Sequence, residues 1–168
     1  MFFCSASTKP SARRNGFTLI EIMITVAIVA VLVSIASPSY TRYIARAQRA
    51  DARTQLVQVA QFMQRFYAAN DSYLEDRATP TPNPVLGQVP AGLKVSPADG
   101  TKLYDLTIPL GAAPLTNAMS FTIRMVPVAG GKLANDECGT FTLTSTGLRG
   151  VIVEGSVGSP ALRDTCWK

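Results

Sequence analysis

The chain contains no histidine. That absence excludes histidine-based general acid/base catalysis, Ser-His and Cys-His nucleophile pairs, and most zinc sites. There is also no CxxC pair, since the cysteines are Cys4, Cys138 and Cys166. Because no catalytic or metal-binding group of residues is visible, we predict a protein that is not an enzyme and holds no metal and no cofactor.

Acidic residues are missing from the first 16 positions, which carry three basic residues, Lys9, Arg13 and Arg14. The whole chain has 16 Lys and Arg against 11 Asp and Glu. Without those first 16 positions the balance is 13 against 11. So small a surplus is weak support for a nucleic-acid partner.

Positive charge is missing from a long apolar stretch. Between Arg14 and Arg42 there is no Lys or Arg, and Glu21 is the only charged residue. Residues 17–36 are almost entirely apolar. At about 1.5 Å per helical residue, a stretch of this length spans the ~30 Å hydrocarbon layer of a membrane. The sequence therefore predicts a membrane-spanning helix that carries one carboxylate.

The helical pattern continues beyond the apolar stretch, with a kink expected at Pro38. Residues 39–69 contain no Gly and no Pro and are rich in Ala, Gln and Arg, which favour helices. We predict one helix of roughly 50 residues, about 75 Å long. Apolar residues of its second half share one face that would pack on a sheet: Leu56, Val59, Ala60, Met63, Phe66 and Tyr67.

The C-terminal half predicts an antiparallel sheet. Residues 70–102 are rich in Pro and Gly and predict a long irregular connection. Alternating apolar and polar residues then predict strands, at 103–110, 118–128, 139–146 and, shorter, 150–154. The expected fold class is α+β, with the long N-terminal helix packed on an antiparallel sheet of about four strands.

The cysteines predict a disulfide loop at the C-terminus. If the segment that contains Cys4 is removed by processing, Cys138 and Cys166 remain as an even pair. Such a pair in an exported chain is typical of a disulfide. We therefore expect a Cys138–Cys166 bond and a C-terminal domain outside the reducing cytoplasm.

A short basic leader that ends in Gly16, followed by the residues FTLIE and an apolar helix, resembles the processing signal of type IV prepilins. The resemblance implies that prepilin peptidase cuts between Gly16 and Phe17 and that Phe17 is N-methylated. It also implies that Glu21 neutralises the new amino group of an adjacent subunit during assembly. This role of Glu21 has a physical reason, because a carboxylate in hydrocarbon is costly without a partner and the apolar stretch supplies no cation.

The same resemblance implies an organisation and a location. Residues 1–16 would be the removed leader, residues 17–38 the transmembrane and assembly helix, and residues 39–168 a periplasmic globular pilin domain. The chain would cross the bacterial inner membrane once and later enter an extracellular pilus. Its implied partners are other pilin subunits, prepilin peptidase, the inner-membrane assembly machinery and, before assembly, membrane lipid.

The implied function is that of a structural subunit of a type IV pilus, either a major pilin or, as the strand after Cys138 and the Cys166-Trp167 pair favour, a minor pilin. It would support pilus biogenesis, twitching motility, adhesion or DNA uptake. One alternative is a pseudopilin of a type II secretion system. Another is a secreted binding domain with an ordinary signal peptide, since small residues at 34–36 resemble a cleavage site. A plain single-pass anchor also fits the apolar stretch.

Four arginines recur at helical spacing just beyond the apolar stretch: Arg42, Arg46, Arg49 and Arg53. On one helix face they could contact DNA phosphates. A charged flank of the membrane segment, a solvated face or ion pairs with neighbouring subunits are the stronger interpretations. DNA is therefore only a weakly supported partner at this point.

Overall fold

The computed structural model describes residues 16–111 and 115–168. The predicted leader and Cys4 lie, apart from Gly16, outside the described residues. One long helix, α1 (Leu19–Asn70), has 52 residues and confirms the expectation of a single helix of roughly 50. The described residues form two compact units, one ending at Thr41 and the other comprising Arg42–Lys168.

The unit that ends at Thr41 consists, in its described part, of three residues before α1 and the N-terminal portion of that helix. Its large apolar side chains are all exposed, from 50% at Ile22 to 79% at Phe17. By length and composition α1 is long and apolar enough to cross a membrane. An all-round apolar helix without a core of its own needs lipid or other helices to cover it.

The second unit carries six antiparallel strands in the sheet order β1-β2-β3-β4-β5-β6. Each strand pairs with its neighbour in sequence, so the sheet is a simple meander. Their bounds are β1 (Val95–Ser96), β2 (Tyr104–Thr107), β3 (Thr122–Pro127), β4 (Thr140–Thr144), β5 (Arg149–Val153) and β6 (Ser156–Val157).

The sheet therefore has six strands rather than about four. The two additional strands, β1 and β6, have two residues each, and so short a strand cannot show an alternating pattern. The connection expected to be irregular contains α2 (Val85–Gln88), a 3-10 turn (Ala91–Leu93) and β1. A C-terminal helix, α3 (Pro160–Cys166), was also not predicted. Its signal was present, because Ser159 caps the helix and Pro160 occupies its first turn.

One buried core joins α1 to the sheet within the second unit. The predicted helix face is buried from Leu56 to Phe66, while Tyr67 is half-buried at its edge. Inward residues of the strands meet this face, and the fully buried ones include Tyr104, Ile123 and Phe141. The α+β class, with one long helix packed on an antiparallel sheet, is thus confirmed.

Candidate functional site

The residues of the predicted processing site lie just before α1 and in its first turn. Gly16 and Phe17 precede the helix and are exposed. Thr18 caps it, because its Oγ1 accepts a hydrogen bond of 3.3 Å from the backbone N–H of Glu21. Thr-x-x-Glu is the sequence of a capping box. Glu21 thus lies in the first helical turn, where the helix dipole favours an anion.

Arg49 of the arginine stripe is bound inside the second unit. Its guanidinium donates to Asp136 Oδ1 at 2.6 and 3.2 Å and to Glu137 Oε1 at 3.0 Å. Burial lowers the pKa of Arg49, but the hydrogen bonds and charges of Asp136 and Glu137 together outweigh this effect, so the pKa of this arginine is raised. The carboxylate of Asp136 also accepts from the backbone N–H of Cys138 at 3.1 Å. Arg49 therefore ties α1 to the loop that precedes β4.

Arg53 is also hydrogen-bonded within the second unit. Its guanidinium donates to the carbonyl oxygen of Cys166 at 2.9 Å, at the end of α3. Burial, followed by the charges of Arg49 and Arg149, lowers the pKa of Arg53. Since Arg49 and Arg53 serve the packing of the domain, the stripe does not form one surface for DNA. Arg46 of the stripe is exposed.

The predicted disulfide is confirmed, because Cys138 and Cys166 are bonded. It joins a residue shortly before β4 to the end of α3. The next residue, Trp167, donates from Nε1 to the carbonyl oxygen of Gly150 at 3.0 Å. Its ring packs edge-on against Phe141 at 5.8 Å between ring centroids. Through Trp167, the C-terminal segment therefore packs against β4 and is hydrogen-bonded to β5.

A groove of about 420 Å³ lies between the outward face of β3–β5 and the segment from β6 to α3. Arg124, Thr142 and Gly150 form a row across its floor, since these three residues are register partners on adjacent strands. Arg149 and Arg163 also line it. We call this feature the arginine groove and its three cationic residues, Arg124, Arg149 and Arg163, the groove arginines.

The groove arginines have different surroundings. Nε of Arg124 is buried and has no hydrogen-bond partner. The guanidinium of Arg149 lies over the ring of Trp167, 5.2 Å from its centroid, in a cation–π contact. Arg163 forms a 2.8 Å ion pair with the exposed Asp164. Among the described residues that line the groove none is acidic, so the arrangement suits an anionic ligand.

Sequence reasoning missed the groove arginines because they come from β3, β5 and α3. One signal was available: Arg124 and Thr142 alternate with buried apolar residues in their strands, which indicates a polar outward face. Nothing in the linear order, however, places Arg163 beside that face.

Comparison with known proteins gives two family matches. A family model described as "Type IV minor pilin ComP, DNA uptake sequence receptor" matches residues 38–142. A second, described as "Prokaryotic N-terminal methylation motif", matches residues 11–37. The first match covers most of the globular unit, and the second covers the predicted processing site and the apolar stretch.

Individual proteins similar to this chain include a type IV pilin and a fimbrial protein. The type IV major pilin protein PilA of Myxococcus xanthus is 33% identical over 118 residues, 65% of this chain and 51% of that protein. A fimbrial protein of Moraxella nonliquefaciens is 56% identical over 41 residues, 24% of this chain and 27% of that protein. The matches thus span about half of the first relative and about a quarter of the second. A solved type IV pilin from Shewanella oneidensis matches 62% of this chain and 88% of its own, with 25% identity and a TM-score of 0.35.

Proposed function

The chain belongs to the family of type IV minor pilins described as ComP, DNA uptake sequence receptor, and from this membership we propose that it is a minor subunit of a type IV pilus that takes part in DNA uptake. The observation that carries the proposal is the family match over residues 38–142, which covers most of the globular unit. The N-terminal methylation motif at residues 11–37 supports the pilus part of the proposal independently.

Maturation would begin at the junction before α1. Prepilin peptidase would cut between Gly16 and Phe17, and the new amino group of Phe17 would be methylated. Support comes from the motif match, which includes both residues, and from their exposed position ahead of the helix. Glu21 would then meet the Phe17 amino group of an adjacent subunit, because a carboxylate in an apolar environment costs several kcal/mol unless a cation accompanies it.

The mature chain would wait in the inner membrane before assembly. The leader would be residues 1–16, the membrane and assembly helix residues 17–38, and the globular domain residues 39–168. The exposed apolar surface of the helix would first contact lipid and then the helices of neighbouring subunits. A disulfide persists in an oxidising compartment, so the globular domain would face the periplasm.

The mass of the mature N-terminal peptide tests the maturation step. Pili sheared from cells are digested and the first peptide is sequenced by mass spectrometry. We expect it to begin at N-methylated Phe17. A start at Ser37 would instead indicate an ordinary signal peptide and would contradict the pilin assignment of residues 17–36.

A Glu21→Gln variant tests the assembly role. The substitution keeps the size of the side chain and removes its charge, so the chain should still be cleaved and held in the membrane. Its amount in sheared pili should fall strongly, because no carboxylate would offset the buried amino group. Glu75→Gln, which neutralises an exposed carboxylate of the globular unit, is the matched control. Equal recovery of the two variants in pili would show that Glu21 has no assembly role.

Natural transformation tests the DNA part. A strain that lacks this subunit should still make pili but should take up labelled DNA far less than the parent strain. Restoring the chain should restore uptake. Normal uptake in the deletion strain would refute the role in DNA uptake, and loss of all surface pili would indicate a subunit needed to build the fibre. Quantifying this subunit against the others in sheared pili distinguishes a minor from a major pilin.

A further inference from the structure

The arginine groove has the charge of an anion site. Three guanidiniums line a cavity of about 420 Å³, and no acidic residue is among its described lining residues. Arg124 lies on the sheet floor, with the buried Nε that has no hydrogen-bond partner. A buried donor without an acceptor is unfavourable, so Arg124 gives up no hydrogen bond of Nε if its guanidinium turns toward a ligand oxygen in the groove.

The floor of the groove carries hydroxyl groups close to the sheet. Gly150 leaves room for the Thr142 hydroxyl, since a Cβ at this position would lie 2.5 Å from that oxygen. Residues with hydroxyl groups, Thr122, Thr142 and Thr144, line the same face. The floor is thus lined by small polar side chains, as a ligand with many oxygen atoms requires.

The wall of the groove is held in place before any ligand arrives. Trp167 is fixed by its hydrogen bond to the Gly150 carbonyl and follows the disulfide-bonded Cys166. Because Arg149 lies over this fixed ring, less of its conformational freedom would be lost on binding a ligand. The groove is therefore a largely preformed site.

We propose that the arginine groove binds the phosphodiester backbone of one DNA strand, with the groove arginines as its phosphate contacts; this inference rests on the proposed role in DNA uptake. Guanidinium groups match the geometry of phosphate oxygens. Three of them around one open groove suit successive phosphates of a strand rather than a single inorganic ion. The exposed apolar side chains of Leu148 and Val157, which also line the groove, would contact the sugars between the phosphates.

Binding of a fluorescein-labelled DNA duplex to the full chain in detergent micelles tests the proposal. One variant replaces all three groove arginines with Gln. Its matched control replaces three arginines outside the groove, Arg46, Arg65 and Arg77, with Gln, so both variants carry the same net charge. The groove variant should bind roughly 10-fold more weakly for each guanidinium–phosphate interaction that the substitutions remove. The slope of log Kd against log salt should also fall by about 1 for each such interaction.

The outcomes separate this proposal from the proposed function. If the native chain binds DNA and the groove variant binds as well as the control, the groove assignment is wrong and a role in DNA uptake stands. If the native chain binds no DNA, both proposals fail. If polyglutamate displaces the labelled duplex as effectively as unlabelled DNA does, the assignment to phosphodiesters is overturned.

A second measurement needs no variant and so does not depend on its folding. The native chain is treated with the arginine reagent phenylglyoxal, with and without the duplex, and modified residues are identified by mass spectrometry. DNA should protect the groove arginines and leave Arg46 and Arg65 equally reactive. Unchanged reactivity of all three groove arginines under conditions where DNA is bound would overturn the proposal.

Discussion

Replacing Arg49 with methionine would remove the cation from a nearly buried ion pair while keeping much of the side chain's apolar length. The Asp136 side chain is 6% exposed and that of Arg49 is 16% exposed. After the substitution, the Asp136 carboxylate would stay in a largely dry site with the Cys138 N–H but without the guanidinium. The loop before β4 would no longer have its ionic connection to α1.

The expected cost follows from this burial. Removing one partner of a fully buried ion pair destabilises a protein by about 3–5 kcal/mol. Because Arg49 keeps some contact with solvent and Asp136 keeps one hydrogen bond, we expect about 2–3 kcal/mol for Arg49→Met, by the same reasoning. For a domain of this size, that corresponds to a fall in Tm of roughly 10 °C. Adding Asp136→Asn should recover part of the stability, since the unpaired charge is then gone.

Denaturant unfolding of the full chain in detergent, followed by circular dichroism, measures these free energies. The control is Lys102→Met, which breaks a 3.0 Å ion pair between Lys102 and Asp105. The Lys102 side chain is 54% exposed and that of Asp105 is 40% exposed. That change should cost at most about 1 kcal/mol. If Arg49→Met costs no more than Lys102→Met, the Arg49–Asp136 pair does not contribute as a buried interaction and the reasoning from burial is refuted.

Two further predictions concern β4 and its disulfide. Gly139 has φ +52°, and a Cβ there would collide with the Ile152 carbonyl oxygen; Gly139→Ala should therefore cost about 3 kcal/mol by denaturant unfolding. Gly147 has φ +80° and open space around it, so Gly147→Ala should cost only about 1 kcal/mol, and equal costs would contradict the steric explanation. Replacing Cys138 and Cys166 together with Ser should cost about 3 kcal/mol, because their separation of 28 residues closes a sizeable loop. The reduced native chain should be destabilised equally, and a cost below about 1 kcal/mol would contradict a loop-closure contribution.

The long helix and the four longer strands could be predicted because their patterns are local. Leu56, Met63 and Phe66 recur at helical spacing, and they are buried as that spacing indicates. Phe141 and Leu143 alternate with threonines, and they point into the core. The two-residue strands β1 and β6 have no such pattern. They are strands only because a neighbouring strand offers them hydrogen bonds.

The arginine stripe shows where local pattern stops being informative. Helical spacing places Arg49 and Arg53, four residues apart, on one side of α1. What they contact there depends on residues far along the chain, an acidic loop at Asp136 and the carbonyl oxygen of Cys166. Arginines that the sequence alone would place on a solvated helix face are thus hydrogen-bonded within the domain. The pattern of the helix could not indicate these contacts.

The sequence alone carries the pattern of the proposed assembly segment, because a basic N-terminal stretch, Gly16, a single carboxylate at Glu21 and a long apolar run are neighbours along the chain. It also indicates which cysteines could pair. Where the cations meet depends instead on the tertiary structure. Arg124, Arg149 and Arg163 become one groove because strand register and the fastening of α3 bring together residues that are distant in sequence. Chain order records adjacency along the backbone, whereas a site for a polyanion depends on adjacency in space.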